Sequence, residues 1–181
     1  MTLLILGVLL WALAHYYKRL MPTHRAALGE KGKGIVAGAL LVSLLLIIFG
    51  YRSAEFIPIW SPPSFFTHIN NLLMLLAFFV FGMSATTGRL RGKMRHPMLT
   101  SVKIWACAHL LVNGDLASII LFGGMLVWAV VSVILINRAE AWERPAPGEA
   151  KKDIVLVVIT LVTFTVVALI HMFLGVSPFG G

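Results

Sequence analysis

Acidic residues are scarce in this chain. Only 7 of its 181 residues are Asp or Glu, and all charged residues together make up 12%. Soluble domains average about 25% charged residues, whereas here 59% of the residues are hydrophobic and the mean hydropathy is +0.93. This composition excludes an ordinary soluble domain and predicts a membrane protein.

Cysteine and the common catalytic motifs are also nearly absent. Cys107 is the only cysteine, which excludes an intrachain disulfide. The chain has no Gly-x-Ser-x-Gly, His-Glu-x-x-His, phosphate-loop or Cys-x-x-Cys motif. Its acidic residues fall almost entirely in predicted loops, which argues against an intramembrane aspartyl protease. The motifs therefore indicate none of the common soluble-enzyme chemistries.

Long apolar runs are what the sequence has instead. A run of about 20 apolar residues is long enough to cross a bilayer as a helix. Six such runs follow one another, at residues 3–20, 34–51, 68–86, 97–112, 116–136 and 154–174. We therefore predict an all-α fold, a polytopic bundle of six transmembrane helices that forms a single membrane domain over residues 1–181.

The distribution of basic residues predicts the orientation. A net charge of +8 would suggest nucleic-acid binding in a soluble protein, but here Lys and Arg lie mostly in short loops. The five loops hold 5, 1, 4, 0 and 4 of them in chain order. Because cytoplasmic loops carry an excess of Lys and Arg, the odd loops are predicted to be cytoplasmic and both termini non-cytoplasmic. Membrane lipid, not nucleic acid, is the expected partner of these charges.

Small residues mark two predicted helix contacts and one turn. Gly34 and Gly38 in the second span, and the pair Gly123-Gly124 in the fifth, would let helices approach closely in lipid. The turn Asn113-Gly114-Asp115 closes the fourth span. We expect Gly114 to occupy a φ > 0 position there, which would strain a β-branched residue.

Histidines inside the spans are the candidate ligands. His15 and His109 each follow a tryptophan by four residues and so share a helix face with Trp11 and Trp105 respectively. Asn113 would continue the stripe that Trp105 and His109 begin. Ionisable groups at this depth usually mark a functional site, and neutral histidine is a common metal ligand. The alternative is a buried histidine that hydrogen-bonds a neighbouring helix.

The other histidines and Lys103 have simpler interpretations. His24 is predicted to be solvated in a basic loop, and His68 and His171 to lie at the membrane interface. His96 precedes Pro97 at a helix start, where capping or a lipid-phosphate contact explains it as well as chemistry does. Lys103 either extends its side chain to the lipid head groups or has a functional role.

Two runs of residues carry a family resemblance. They read Arg95-His96-Pro97-Met98 and Trp105-x-x-x-His109-Leu-Leu-x-Asn113-Gly114-Asp115-Leu-Ala-Ser. This pattern strongly resembles the NnrU family of membrane proteins, named for up-regulation of nitrite and nitric oxide reductases in denitrifying bacteria. The resemblance extends to His15, Gly50-Tyr51, Pro58-Ile59-Trp60 and His68, and so covers nearly the whole chain.

The resemblance implies a cofactor and its ligands. The NnrU family is similar to plant zeta-carotene isomerase, a membrane enzyme that uses haem b to isomerise a polyene double bond. By position, its two haem-ligating histidines correspond to His15 and His109, and a further histidine to His96. The isomerase also has a cysteine three residues before the second histidine. That position here is Ala106, and Cys107 comes one residue later, which turns it by about 100° on a helix.

The predicted depths of the histidines leave the second iron ligand open. By helical rise, His15 and His109 are predicted to differ by roughly 12 Å along the membrane normal. His68 and His171 lie closer to the depth of His109 and are the alternatives. Around His109, Trp105 would line the cofactor and Asn113 would orient the imidazole or a propionate.

The leading functional hypothesis is a haem b protein of the bacterial inner membrane that supports denitrification, with an isomerase-like, redox-gated activity on a lipophilic substrate. One alternative is a non-enzymatic accessory or assembly subunit that docks on a respiratory reductase complex. Another is a small-solute or haem transporter. Transporters built from inverted repeats show matched broken helices in their two halves, and none is evident here.

Overall fold

A computed structural model describes residues 1–179, and these residues are mostly helical. The helices, in chain order, are α1 Thr2–Leu20, α2 Pro22–Ala27, α3 Gly29–Arg52, α4 Phe66–Ala85, α5 Pro97–Val112, α6 Leu116–Ala139 and α7 Lys151–Phe173. A short 3-10 helix, Arg89–Lys93, precedes α5. No strand occurs in the described residues, where β structure is limited to one isolated bridge. The all-α fold class is confirmed.

Five helices in residues 1–179 are long and apolar enough to cross a membrane, namely α1, α3, α4, α6 and α7. The chain is therefore a multi-pass membrane protein. The fourth predicted span, residues 97–112, coincides with α5, but α5 has only 16 residues. At 1.5 Å per residue it is about 24 Å long, less than the roughly 30 Å of a bilayer core. The count of six spans and the orientation of the termini stay predictions.

The chain divides into two compact units. The first contains residues 1–61 and 113–140, and the second contains residues 62–112 and the chain from 141 onward. Both units are built from segments that are distant in sequence. The first holds α1, α2, α3 and α6, and the second holds α4, α5 and α7.

In the first unit, α1 packs against α3 at very short range. A Cβ added to Gly7 would lie 2.8 Å from the backbone nitrogen of Ile47, and one added to Gly50 would collide with the backbone of Leu4. Ser43 Oγ, fully buried, donates a hydrogen bond of 2.8 Å to the carbonyl oxygen of Gly7. Backbone hydrogen bonding and close approach of glycines are the usual means of helix association in lipid.

The predicted glycine contacts are only partly used within the protein. Apart from the chain neighbours and the nearby backbone of the same helix, no described atom lies within 4 Å of a Cβ built on Gly34, Gly38 or Gly123. A Cβ on Gly124 would meet the side chain of Val8 at 2.6 Å. The face of α3 that carries Gly34 and Gly38 is thus open, and of the pair in α6 only Gly124 faces α1.

The expectation that Gly114 has φ > 0 is wrong. Among the described residues only Gly29 and Gly175 have positive φ. Position 114 requires glycine because the backbone of Trp60 approaches it closely, and a Cβ there would collide with the Trp60 carbonyl oxygen. The Gly114 carbonyl accepts hydrogen bonds from the backbone N–H groups of Ile59 and Trp60 at 2.8 and 3.0 Å.

The helix α6 begins irregularly. Its first residues, Leu116–Ser118, are α-helical, and Ile119–Gly123 form a π-helical turn before the regular segment Gly124–Ala139. Such turns are uncommon and occur frequently at functional sites. The hydropathy of the sequence predicts the helix but not this change of winding.

In the second unit, α4 contacts both α5 and α7. Phe78 of α4 meets Phe164 of α7 edge to face, with ring centroids 6.0 Å apart. Leu156 of α7 is fully buried and lies against Gly82. Beyond these helices, Arg89 Nε donates to Asp153 Oδ2 at 2.9 Å and ties the 3-10 helix to the start of α7.

Candidate functional site

His15 lies in the first unit with its tautomer set by its own helix. Its Nδ1 is 2.8 Å from the carbonyl oxygen of Trp11, one turn earlier in α1. A carbonyl only accepts hydrogen bonds, so Nδ1 carries the proton and donates it. The lone pair of the ring is then on Nε2. Metal-ligating histidines are oriented in this way, with the second nitrogen anchored to a backbone carbonyl or a carboxylate.

Two tryptophans surround the His15 ring. Its centroid is 4.6 Å from that of Trp11 and 4.7 Å from that of Trp128 in α6, and the two indoles meet edge to face at 5.6 Å. Tyr16 Oη donates to the Trp128 carbonyl oxygen at 3.0 Å, which holds α6 against α1. His15 itself is only half-buried.

Both indole N–H groups of this cluster are orphaned. The Nε1 atoms of Trp11 and Trp128 are buried, and no described atom accepts a hydrogen bond from them. Buried donors are normally paired, so these two suit a bound group that presents acceptor atoms beside His15. If a haem were bound here, His15 Nε2 would be available to its iron, and its carboxylates would be candidate acceptors for these donors.

His109 lies in the second unit, near the end of α5. Its ring centroid is 5.5 Å from that of Trp105, as the spacing of four residues predicts. His109 is half-buried, whereas Ala106 and Ala108 on either side of Cys107 are fully buried. Cys107 is exposed. The structure therefore brings Trp105 and His109 together on one helix face.

The other predicted site residues are distributed differently. Helix α5 ends at Val112, so Asn113 lies outside it and does not continue the stripe of Trp105 and His109 along the helix. Asn113 belongs to the first unit, as does His15. His96 is half-buried, and its carbonyl oxygen accepts the Thr100 N–H at 2.9 Å, so it provides the first acceptor of α5.

His171 is a further histidine of the second unit. Its Nδ1 donates to the Val167 carbonyl oxygen at 2.8 Å, the same arrangement that His15 makes with Trp11. His68, at the start of α4, is exposed. No cluster of three or more His, Cys, Asp or Glu able to hold a metal occurs in residues 1–179.

A buried polar network at the start of α6 was not evident from the sequence. Asp115 Oδ1 accepts the Ser118 backbone N–H at 3.0 Å, and Asp115 Oδ2 accepts the Ser118 hydroxyl. Because the Ser118 hydroxyl already donates its one hydrogen to Asp115, the Tyr51 hydroxyl is the donor in its 2.9 Å hydrogen bond with Ser118 Oγ. Asp115 is 9% exposed. The sequence signal was the N-cap pattern of an acid three residues before a serine, which predicts a cap but not the Tyr51 contact.

Comparison with known proteins gives one match. Searches of curated proteins and of solved structures find nothing that matches the chain. The model of the family described as NnrU protein matches residues 3–178. Since this match spans both units and nearly the whole sequence, the chain is a multi-pass membrane protein of the NnrU family.

Proposed function

We propose that this protein binds haem b in the bacterial inner membrane and supports denitrification, with His15 and His109 as the candidate iron ligands. By the resemblance to zeta-carotene isomerase, its activity would be a redox-gated, isomerase-like reaction on a lipophilic substrate. The observation that carries the proposal is the His15 cluster. The hydrogen bond from Nδ1 to the Trp11 carbonyl leaves the Nε2 lone pair of His15 available to a metal, and the two tryptophans packed against the ring have buried donors that lack a described acceptor.

The residues of the chain have distinct parts in this proposal. The Trp11 carbonyl orients the His15 ring by accepting a hydrogen bond from Nδ1, and the indoles of Trp11 and Trp128 cover part of the ring. In the second unit, Trp105 supports the His109 imidazole from one turn below. Haem b would supply an iron whose oxidation state and axial ligation can change. Neutral imidazole ligands also avoid a bare charge in the apolar region.

Absorption spectroscopy tests the proposal directly. Purified protein, expressed with haem supplied, should give a b-type dithionite-minus-oxidised spectrum and a pyridine haemochrome. His109→Ala and His15→Ala should each lower the haem content at least about tenfold or shift the Soret band. His24→Ala, an exposed histidine outside the spans, is the matched control and should leave the spectrum unchanged.

Three outcomes would contradict it. A wild-type protein without any chromophore would exclude the cofactor. If His15→Ala keeps the wild-type spectrum while His171→Ala loses haem, the second ligand is His171 of the second unit and not His15. Loss of haem in His24→Ala to the same extent would show that the effect is not specific to the spans.

The accessory-subunit alternative is supported by a different observation. Gly34 and Gly38 of α3 have no described atom within 4 Å of their Cβ positions, so this small-residue face is open to another helix. A helix of a respiratory reductase complex would fit such a surface. Co-purification with a reductase in the absence of any chromophore would favour this function over the first.

A further inference from the structure

The second unit contains an apolar groove between α4 and α7. It has a volume of about 310 Å³ and is lined by Leu72, Leu75, Leu76, Phe79, Val157, Thr160 and Leu161. Thr160 does not make it polar, because its hydroxyl donates to the Leu156 carbonyl oxygen at 2.8 Å. We call this surface the α4–α7 groove. Its lining is suited only to a hydrocarbon occupant.

The groove is open along its sides. Leu72 is 69% exposed and Leu161 is 53% exposed, although both lie in the middle of membrane-length helices. Next to the groove lining, Leu156 of α7 packs against Gly82 of α4. A concave, laterally open surface between two spanning helices is therefore presented to the hydrocarbon of the bilayer.

The end of the second unit beyond Gly82 and Leu156 is strongly basic. Residues 86–96 and 141–153 contain seven Lys or Arg and three acidic residues. Of these acids, Asp153 is paired with Arg89 and Glu149 with Lys151. Arg91, Lys93 and Lys152 are exposed at this end. Its charge is complementary to a lipid phosphate.

The spacing of groove and charges matches one leaflet. Leu161 is ten residues from Lys151 along α7, which corresponds to about 15 Å of helical rise. Half of a bilayer core is also about 15 Å thick. An acyl chain in the groove would thus place its own head group at the level of Lys151 and Lys152.

We propose that the α4–α7 groove is a specific site for an anionic phospholipid, with one acyl chain between α4 and α7 and the phosphate against the basic residues at their ends. Basic pockets between transmembrane helices bind anionic head groups in this manner. A zwitterionic lipid would fill the groove equally well, but its ammonium group offsets its phosphate, so it would gain less from the excess of basic residues. The site is independent of any cofactor, so it goes beyond the proposed function.

Electron paramagnetic resonance with chain-labelled lipids tests this site. The protein is reconstituted in phosphatidylcholine vesicles, and the motionally restricted fraction is measured for spin-labelled phosphatidylglycerol and for spin-labelled phosphatidylcholine. The wild-type protein should restrict phosphatidylglycerol preferentially. Lys151→Gln/Lys152→Gln should lower this preference by at least about fivefold, the expected effect of one lysine charge near a lipid surface.

Matched variants separate the site from general effects. Lys31→Gln/Lys33→Gln removes a similar exposed pair, in which Lys33 contacts Glu30 as Lys151 contacts Glu149, and should leave the preference unchanged. Leu161→Trp fills the groove and should reduce the restricted phosphatidylglycerol. Leu169→Trp, on α7 outside the groove lining and similarly exposed at 57%, should not.

The proposal is overturned by any of three results. Equal restriction of the two lipids by the wild-type protein would remove the head-group specificity, and this measurement needs no variant. Equal effects of the two lysine pairs would assign the preference to the overall charge. Equal effects of Leu161→Trp and Leu169→Trp would show that the acyl chain does not lie in the α4–α7 groove.

Discussion

Two helix contacts differ in what their glycines face. Between α1 and α3 of the first unit, Gly7 and Gly50 face backbone atoms, whereas between α4 and α7 of the second unit Gly82 faces only side-chain atoms, those of Leu156 and Thr160. The first unit also has backbone hydrogen bonds between the residues before α4 and the turn at Gly114. In the second unit an open groove lies between α4 and α7.

This difference indicates which contacts tolerate change. A backbone atom can move only if a whole helix moves, while a leucine methyl group can rotate away at small cost. The backbone contacts at Gly7, Gly50 and Gly114 should therefore be the rigid part of the first unit, which holds the His15 cluster in register. The contact between α4 and α7 in the second unit should adapt to small changes, as a lipid-binding surface does. Substitution of individual glycines tests this comparison.

The largest effect is expected at Gly114. Gly114→Ala should lower the free energy of unfolding by about 3 kcal/mol, because its Cβ would collide with the Trp60 carbonyl oxygen and displace the loop that pairs with the turn. Gly114→Val and Gly114→Asn should be similarly damaging. Unfolding of the purified variants by SDS in mixed micelles measures this.

The ranking of the three Gly114 variants distinguishes space from backbone conformation. If Gly114→Asn were tolerated while Gly114→Val was not, a φ > 0 requirement would explain the position better than the contact with Trp60. Equal and large losses would support the close approach. A small loss in all three would contradict the rigidity of the first unit.

A smaller effect is expected at Gly82. In Gly82→Ala the new methyl group would lie 2.6 Å from Leu156 Cδ1 and 3.6 Å from Thr160 Oγ1. Rotation of Leu156 should limit the loss to about 1 kcal/mol, partly offset by the better helix propensity of alanine. The same micelle assay measures it, and a loss as large as that of Gly114→Ala would remove the contrast between the units.

The smallest effect is expected at Gly38. Gly38→Ala should leave the protein unchanged or stabilise it by about 0.5–1 kcal/mol, because no described atom is near its Cβ and alanine favours helix. A larger residue, as in Gly38→Leu, should also leave the isolated protein folded. If it abolishes co-purification with a reductase complex, the open face of α3 is a partner surface. A large loss of stability in the isolated protein would show that this face is packed within the protein.

Much of the secondary structure follows from the sequence. Residues 97–112 were predicted as a helix and form α5 with the same ends, since Pro97 is suited to a helix start and Asn113-Gly114 to its end. The other predicted spans agree with helices to within a few residues. Backbone groups in lipid have to be satisfied within the segment, so a long apolar run has almost no alternative to a helix. The Trp105–His109 contact follows from this helix alone.

Which helices meet was decided only by the tertiary structure. Gly34 and Gly38 have the spacing of a helix contact, yet the close approach uses Gly7 and Gly50. Nothing in the spacing of α1 indicates that Trp128 of α6 would cover His15. In a membrane, large apolar residues face lipid as readily as protein, so hydropathy does not separate the two kinds of surface, and small residues only mark candidate contacts. The sequence therefore determined the helices and the histidines within them, and the fit of side-chain shapes between helices determined which residues surround each histidine.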